Sequence, residues 1–275
     1  MQTSPRRLAL WFLLLFALGL GAAEVANGKT ALLELPSAEK GSFLTYEGKR
    51  IPLMSHPKSP GPVALLPVPY RSEPGEKRLL LCRGETQEPL PFCVLKEAYP
   101  SETLQVDPSK VNPNPKQKER IAKEYREAIA IYDTYTPTRY WQTPFSLPMS
   151  SPITSNYGTA RVFNGSLKSF HSGTDFRAKV GTPIRAVNDG VVVLAKERYY
   201  AGNSVVIDHG EGLYSCYYHL SKLDVKPGER VTKNALLGLS GVSGRVTGPH
   251  LHFACMLHGV QVDPMQLIKT VNALF

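Results

Sequence analysis

Four cysteines in 275 residues are few, and their positions (82, 93, 216 and 255) match no metal-binding spacing, which excludes a cysteine-built zinc module. An internal repeat and a low-complexity tract are both missing, so neither a solenoid nor a long disordered arm is expected. Acidic residues are outnumbered, 23 against 32 lysines and arginines, for a formal charge of +9. That excess favours anionic partners, but no nucleic-acid motif accompanies it and no nucleic-acid partner is expected. Long hydrophobic runs are also scarce. The run Leu8 to Leu20 falls short of the roughly 18 to 20 residues that a membrane-spanning helix needs, and no later segment is apolar enough to span a bilayer.

What surrounds that run has a different meaning. Arg6 and Arg7 precede it and Gly21, Ala22 and Ala23 follow it, the pattern of a secretory signal peptide cleaved between Ala23 and Glu24. No cysteine follows the run, which argues against a lipoprotein anchor. Residues 1–23 are therefore expected to be removed. Of the +9 charge, Arg6 and Arg7 carry two, which leaves +7 on a mature chain expected outside the cytoplasm. In that oxidising setting four cysteines allow up to two disulfides.

Composition divides the mature chain. Residues 24–105 are rich in proline and in short β-forming runs, Phe43 to Tyr46, Val63 to Leu66 and Leu79 to Cys82, separated by turn signals at Glu47-Gly48, Pro60-Gly61 and Glu73-Pro74-Gly75. Residues 106–150 hold one helix and a linker. Asn114 caps the helix, Pro115 suits its first position, and Ile121, Tyr125, Ala128, Ile129 and Tyr132 lie along one face. The stretch Thr134 to Pro152, with prolines at 137, 144, 148 and 152, reads as extended. From 151 to 275 the pattern is β again. Hairpins are expected across Asn188-Asp189-Gly190, across His209 to Gly212, and across His258-Gly259.

Three clusters in this last region carry chemistry: His171-Ser172-Gly173-Thr174-Asp175, Tyr217-Tyr218-His219-Leu220 and Gly248-Pro249-His250-Leu251-His252-Phe253. Residues two apart on a strand share a face, so His250 and His252 project together, and Asp175 can join His171 if that segment is extended. Two imidazoles and a carboxylate suit zinc, and three protein ligands leave a fourth position for water. The Glu of a His-Glu-x-x-His motif, which serves as base in many zinc proteases, is absent. His219 and His250 can take its place, since a histidine near neutral pKa can orient or deprotonate water and donate to an oxyanion.

In order and spacing, the motifs His-x-x-x-Asp, Tyr-x-His-Leu and Gly-Pro-His-Leu-His-Phe resemble those of the LytM/lysostaphin-type peptidoglycan endopeptidases. The resemblance runs from about Ser151 to Asp263-Pro264 and takes in Gly181-Thr182-Pro183, Gly202-Asn203, Val225 to Gly228 and Gly241 to Gly248. It implies one Zn2+ per chain held by His171, Asp175 and His252, with His219 and His250 as catalytic residues serving the water and the transition state. It further implies peptidoglycan stem or cross-link peptides as substrate. The leader Thr154 to Gly158 and Arg161 resemble the exported Gram-negative variant, which also carries an N-terminal β-domain and which favours a D-alanyl bond over a glycine bridge. The periplasm is the expected compartment for such a source; otherwise the chain is secreted or wall-associated. The fold expected is mainly β: a C-terminal antiparallel β-sheet peptidase domain with an open groove, a smaller N-terminal β-domain and a connecting helix. The alternative is a non-enzymatic scaffold that binds wall and activates another hydrolase, but such proteins lose zinc ligands and this chain keeps them.

Lesser expectations follow. Arg161 can hold a stem-peptide carboxylate or form a salt bridge. Tyr199, Tyr200, Tyr217 and Tyr218 can line the groove or simply fill strands. His209 and His258 read as polar turn residues. Strand alternation ending at His219 puts Tyr217 on the site face and Cys216 with Tyr218 on the reverse, beside Cys255, so that a Cys216–Cys255 disulfide is feasible and Cys82 can pair with Cys93. Burial as free thiols is the other reading. The N-terminal domain is expected to limit access to the groove, so that a chain starting near Thr136 would cleave faster.

Overall fold

Short strands broken by turns, as the proline content dictates, make up most of the computed structural model, which describes residues 23–105, 112–165 and 167–275. Residues 1–22 of the expected signal peptide lie outside the described residues. The first part of the chain holds β1 (Ala23–Ala26), β2 (Thr30–Glu34), β3 (Phe43–Tyr46), β4 (Lys49–Pro52) and β5 (Met54–Ser55). It continues with β6 (Pro62–Pro67), β7 (Gly75–Glu76), β8 (Leu79–Arg83), β9 (Thr86–Leu90), β10 (Phe92–Leu95) and β11 (Ser101–Leu104). Small sheets of order β4-β3-β8-β9, β2-β6-β5 and β1-β10-β7 pack Leu44, Ile51, Leu66, Leu79, Leu81 and Phe92 into a core of their own.

Helix α1 (Pro115–Tyr132) starts as its sequence predicts. Asn114 and Gln117 exchange side-chain to backbone hydrogen bonds of 2.9 and 2.8 Å, closing a capping box with Pro115 at the first turn. The expected apolar face is only partly right: Ala128 and Tyr132 are buried, but Tyr125 is 64% exposed. Glu124 takes the inner position, because its carboxylate accepts from Tyr199 N at 2.9 Å and its carbonyl from Arg198 at 3.0 Å. Residues 134–152 have no regular structure, yet they are anchored. Trp141 and Phe145 are buried, and they pack with Met54, Val63 and Leu65 from the first part of the chain and with Phe176, Tyr217 and Phe253 from the last.

That last part holds β12 (Ile153–Ser155), β13 (Ala160–Phe163), β14 (Leu167–Phe170), β15 (Thr174–Arg177), β16 (Pro183–Arg185) and β17 (Gly190–Arg198). It continues with β18 (Gly202–Gly210), β19 (Leu213–Leu223), β20 (Arg230–Val231), β21 (Leu236–Ser240), β22 (His250–Leu257), β23 (Val260–Val262) and α2 (Pro264–Asn272). The main sheet runs β12-β15-β22-β19-β18-β17-β20, with β23 paired to β22 and β21 to β19. Two of the expected hairpins form, β18–β19 and β22–β23. The one across Asn188-Asp189-Gly190 does not: β16 pairs with β21, and β17 with β18 and β20. The local turn signal is overridden by distant partners. Asn188 Nδ2 donates to Thr143 O at 2.8 Å and Asp189 Oδ1 accepts from Lys233 N at 2.7 Å, while Ile184 is fully buried.

Alternation along the central strands gives the sheet two unlike faces. Val205, Ile207, Leu251, Phe253 and Cys255 join Trp141 and the buried side of α2 in one core. Val206, Tyr214, Cys216, Ala254 and Met256 pack against Ala128 and Tyr132 of α1 on the other. This settles the cysteines. Cys216 is in register with Ala254 and Cys255 with Ser215, so the two thiols point to opposite faces, and of the two readings the Cys216–Cys255 disulfide fails and burial as free thiols holds. The alternation count failed because β19 bulges. Between the pairs Asn203–Leu220 and Val205–Tyr217 it carries an extra residue, and His219 sits at φ +64°. Tyr218, not Tyr217, therefore shares the face of His252. Cys82 and Cys93 lie in different sheets, and all four cysteines are free thiols.

Candidate metal centre and active-site groove

The part of the sheet that α1 leaves uncovered floors a groove of about 600 Å³. Asp175, His252 and Tyr218 form one row across it, because Asp175 on β15 is in register with His252 on β22, and His252 with Tyr218 on β19. His171 enters from the loop before β15. Its backbone N donates to Thr159 O and its carbonyl accepts from Gly158 N, each at 2.7 Å. The loop then passes over His252 so closely that a Cβ on Gly173 would meet His252 Nε2 at 2.6 Å and Phe253 O at 2.4 Å. Glycine is required there, a constraint the sequence alone did not reveal.

His171 Nε2, Asp175 Oδ1 and His252 Nδ1 are each 2.9 Å from the other two. All three residues are buried, and they form a group that could hold a metal ion. The donor set fits zinc. His171 Nδ1 lies 2.9 Å from Asn156 O, and a carbonyl only accepts, so in neutral His171 the proton is on Nδ1 and a bare lone pair on Nε2. That lone pair faces a carboxylate oxygen, an arrangement a bound cation relieves. Burial raises the Asp175 pKa, but the close approach of His171 and His252 outweighs it and holds the carboxyl well below the usual range. Burial pushes His252 down to about 4, opposed by Asp175. Both groups are therefore in ligand form at neutral pH.

His219 and His250 stand beside this trio, with ring centroids 4.9 Å apart and that of His219 5.9 Å from His252. The bulge in β19 turns His219 onto this face. Each histidine donates from Nδ1 at 2.8 Å to a carbonyl, His219 to Ser243 O and His250 to Gly248 O, which leaves a lone pair on each Nε2. His250 Nε2 lies 3.7 Å from Asp175 Oδ1. Burial chiefly, helped by His252 and His250, depresses His219 to about 3 and keeps it neutral. The structure thus brings together all five residues singled out in the sequence.

Other expectations are redistributed. Arg161 donates to Glu102 at 2.6 Å, to Ser155 Oγ at 3.0 Å and to Asp175 Oδ2 at 3.3 Å, so it takes the salt-bridge alternative and fixes the second oxygen of Asp175. Tyr200 and Tyr218 line the groove, whereas Tyr217 points into the opposite core and bonds Val187 N at 3.0 Å. His209 is no turn residue. It is completely buried, with Nδ1 2.7 Å from Asp189 O and Nε2 2.7 Å from Ser215 Oγ. Sequence reasoning also missed Glu102, which reaches the groove because β11 pairs in parallel with β13, the strand of Arg161.

Comparison with known proteins agrees with this geometry. Residues 169–264 match the description Peptidase family M23. The chain is 49% identical over 96 residues to the peptidoglycan DD-endopeptidase ShyA of Vibrio cholerae, covering 35% of this chain and 22% of that protein. It is 41% identical over 114 residues to ShyC of the same organism, covering 41% and 26%. The chain thus spans about a quarter of the length of these curated relatives. A crystal structure assigned to peptidase M23 from Pseudomonas aeruginosa superposes with a TM-score of 0.72 at 28% identity, over 89% of this chain and 95% of that one. The chain carries a peptidase M23 domain of the LytM/lysostaphin family, and the structural likeness extends beyond that domain through most of the molecule.

Proposed function

We propose that this chain is a zinc-dependent peptidoglycan endopeptidase, exported from the cytoplasm, that hydrolyses a D-alanyl cross-link during wall remodelling. The observation that carries the reading is the convergence of His171 Nε2, Asp175 Oδ1 and His252 Nδ1 at 2.9 Å in a groove that also holds His219 and His250. The names of the Vibrio cholerae relatives favour the DD cross-link. In this reading residues 1–23 direct export, 24–105 form an N-terminal β-domain, 106–150 connect, and 151–275 are the peptidase domain.

His171, Asp175 and His252 would hold one zinc ion, which when bound supplies a Lewis acid and lowers the pKa of a bound water to about 7. Arg161 keeps Asp175 oriented so that Oδ1 faces the two imidazoles. Of the two remaining histidines, His250 lies at the groove surface, and its Nε2 lone pair takes a proton from the attacking water as oxygen bonds to the scissile carbon. His219 Nε2 orients that water. The protonated imidazole then steadies the oxyanion and returns its proton to the leaving amine as the C–N bond breaks.

The test is digestion of purified sacculi by the mature chain, with mass analysis of released muropeptides. Conversion of cross-linked dimers to monomers, blocked by a chelator, is expected. Cleavage confined to glycan would overturn the reading, and sacculi bound but uncut would move it to the non-enzymatic scaffold.

A further inference from the structure

Sequence analysis offered Arg161 as a carboxylate receptor, but its Nε and Nη2 already donate to Glu102, Ser155 and Asp175. Arg245 lines the same groove in a different state. Its guanidinium carbon lies 4.5 Å from the ring centroids of both Phe163 and Tyr200, and among the described residues no carboxylate lies within ion-pair distance of it. Aromatic faces attract a cation but give its in-plane N–H groups nothing to bond. A guanidinium so placed has a planar fork of donors to offer a ligand, the shape a carboxylate matches with two parallel hydrogen bonds.

The backbone around Arg245 is built to hold it still. Its N–H donates to Tyr200 O at 2.8 Å. The preceding Gly244 has φ +84° and lies so close to Tyr200 that a Cβ would meet the carbonyl oxygen at 2.4 Å. Ser243 Oγ donates to Leu220 O and accepts from Asn203 N, both at 2.8 Å, and Ser243 O is the acceptor for His219 Nδ1. One loop thus fixes both the tautomer of His219 and the position of the Arg245 backbone, which ties a substrate-facing cation to the reacting geometry.

We propose that Arg245 receives the free carboxylate that flanks the scissile amide of the substrate peptide, and so determines specificity in this groove. The inference rests on the endopeptidase reading above. An amide made to the amine of a D-amino-acid centre carries the carboxylate of that centre one carbon from the scissile nitrogen. A bond inside a glycine bridge has no free carboxylate there. Arg245 therefore selects cross-links between amino-acid centres that keep a free acid beside the amide.

Two synthetic cross-linked peptides that differ only in this carboxylate, free acid or primary amide, test the assignment on the zinc-loaded mature chain. Wild type is expected to prefer the acid in kcat/KM by roughly 10- to 100-fold. Arg245→Gln should slow the acid far more than the amide and so remove most of the preference, and Arg245→Lys should keep part of it because it keeps charge but not the fork. An equal slowing of both peptides in Arg245→Gln, or no preference in wild type, would overturn the proposal. Calorimetric binding of both peptides to wild type and Arg245→Gln separates this from failure of the endopeptidase reading. If wild type cuts neither peptide, tighter binding of the acid that disappears in Arg245→Gln still supports the receptor, and equal binding overturns it.

Discussion

The ring of Tyr218 lies parallel to that of His252, with 10° between the planes and 5.5 Å between centroids. The Tyr218 hydroxyl is 3.1 Å from that of Tyr132, at the end of α1, and the Tyr132 hydroxyl is also 3.4 Å from Cys216 Sγ. The connecting helix therefore backs the proposed metal ligand through one tyrosine. Tyr132→Phe should fold, lose about 1 kcal/mol of stability, and bind zinc up to roughly tenfold more weakly, the range seen when outer partners of ligands are removed. Chelator competition and thermal melting measure both. Unchanged zinc affinity would show that α1 supports the sheet but not the ligand.

For the trio itself, about one zinc per mature chain is expected. His171→Ala, Asp175→Ala and His252→Ala should each greatly weaken binding, since each removes one of three converging atoms. Elemental analysis of the purified variants is the check. Full zinc occupancy in Asp175→Ala would remove that residue from the ligand set.

His219→Ala and His250→Ala should behave differently, keeping zinc while turnover falls by about 10²- to 10³-fold. Metal content and kinetics have to be measured on the same preparations. Normal turnover in His250→Ala would rule out its part in proton transfer.

The contrast between the site and its surroundings shows what a sequence conveys. That His171, Asp175, His219, His250 and His252 meet in one groove was legible because the chemistry proposed for them restricts residue type and spacing at once, and the β18–β19 and β22–β23 hairpins because their turns join adjacent strands. The bulge at His219 was not legible. Nothing local in Tyr217-Tyr218-His219 announces a positive φ, yet it reverses the face of every residue before it and with it the cysteine pairing. The pairing of β16 with β21 and the capture of Arg161 by Glu102, 59 positions away, are likewise set by distant partners. Local patterns carry no information about such contacts.

Acid should destabilise the fold through His209. Burial pushes its pKa down to about 4, against the opposing pull of Asp189, while the unfolded chain keeps the ordinary value of about 6.5. Between these values the unfolded state binds a proton that the native state refuses. The stabilisation is therefore whole above about pH 6.5, is lost progressively as pH falls to about 4, and amounts to about 3 kcal/mol. His209→Gln should be less stable at pH 7.5, since the ring bridges Asp189 O and Ser215 Oγ, and should show a shallower fall in Tm between pH 6.5 and 4.5. Parallel slopes for wild type and variant would place the acid sensitivity elsewhere.

Contacts of the N-terminal part reach into the core of the last part of the chain, which runs against its expected role of shielding the groove. Met54, Val63 and Leu65 belong to the same core cluster as Trp141, Phe176 and Phe253. Ala128 and Tyr132 cover Cys216, Tyr214 and Ala254 on the other face of the sheet, and Glu102 holds Arg161 against Asp175. A chain starting at Thr136 loses all of these. At about 1.5–3 kcal/mol for each buried aliphatic side chain, the three core residues alone account for several kcal/mol, which lowers Tm by on the order of 10 °C or more. With Arg161 no longer braced by Glu102, turnover on sacculi should fall, not rise. Melting curves and digestion at matched concentrations of folded protein decide between the two. A truncated chain that melts with the full mature chain and cuts faster would restore shielding as the role of the N-terminal part.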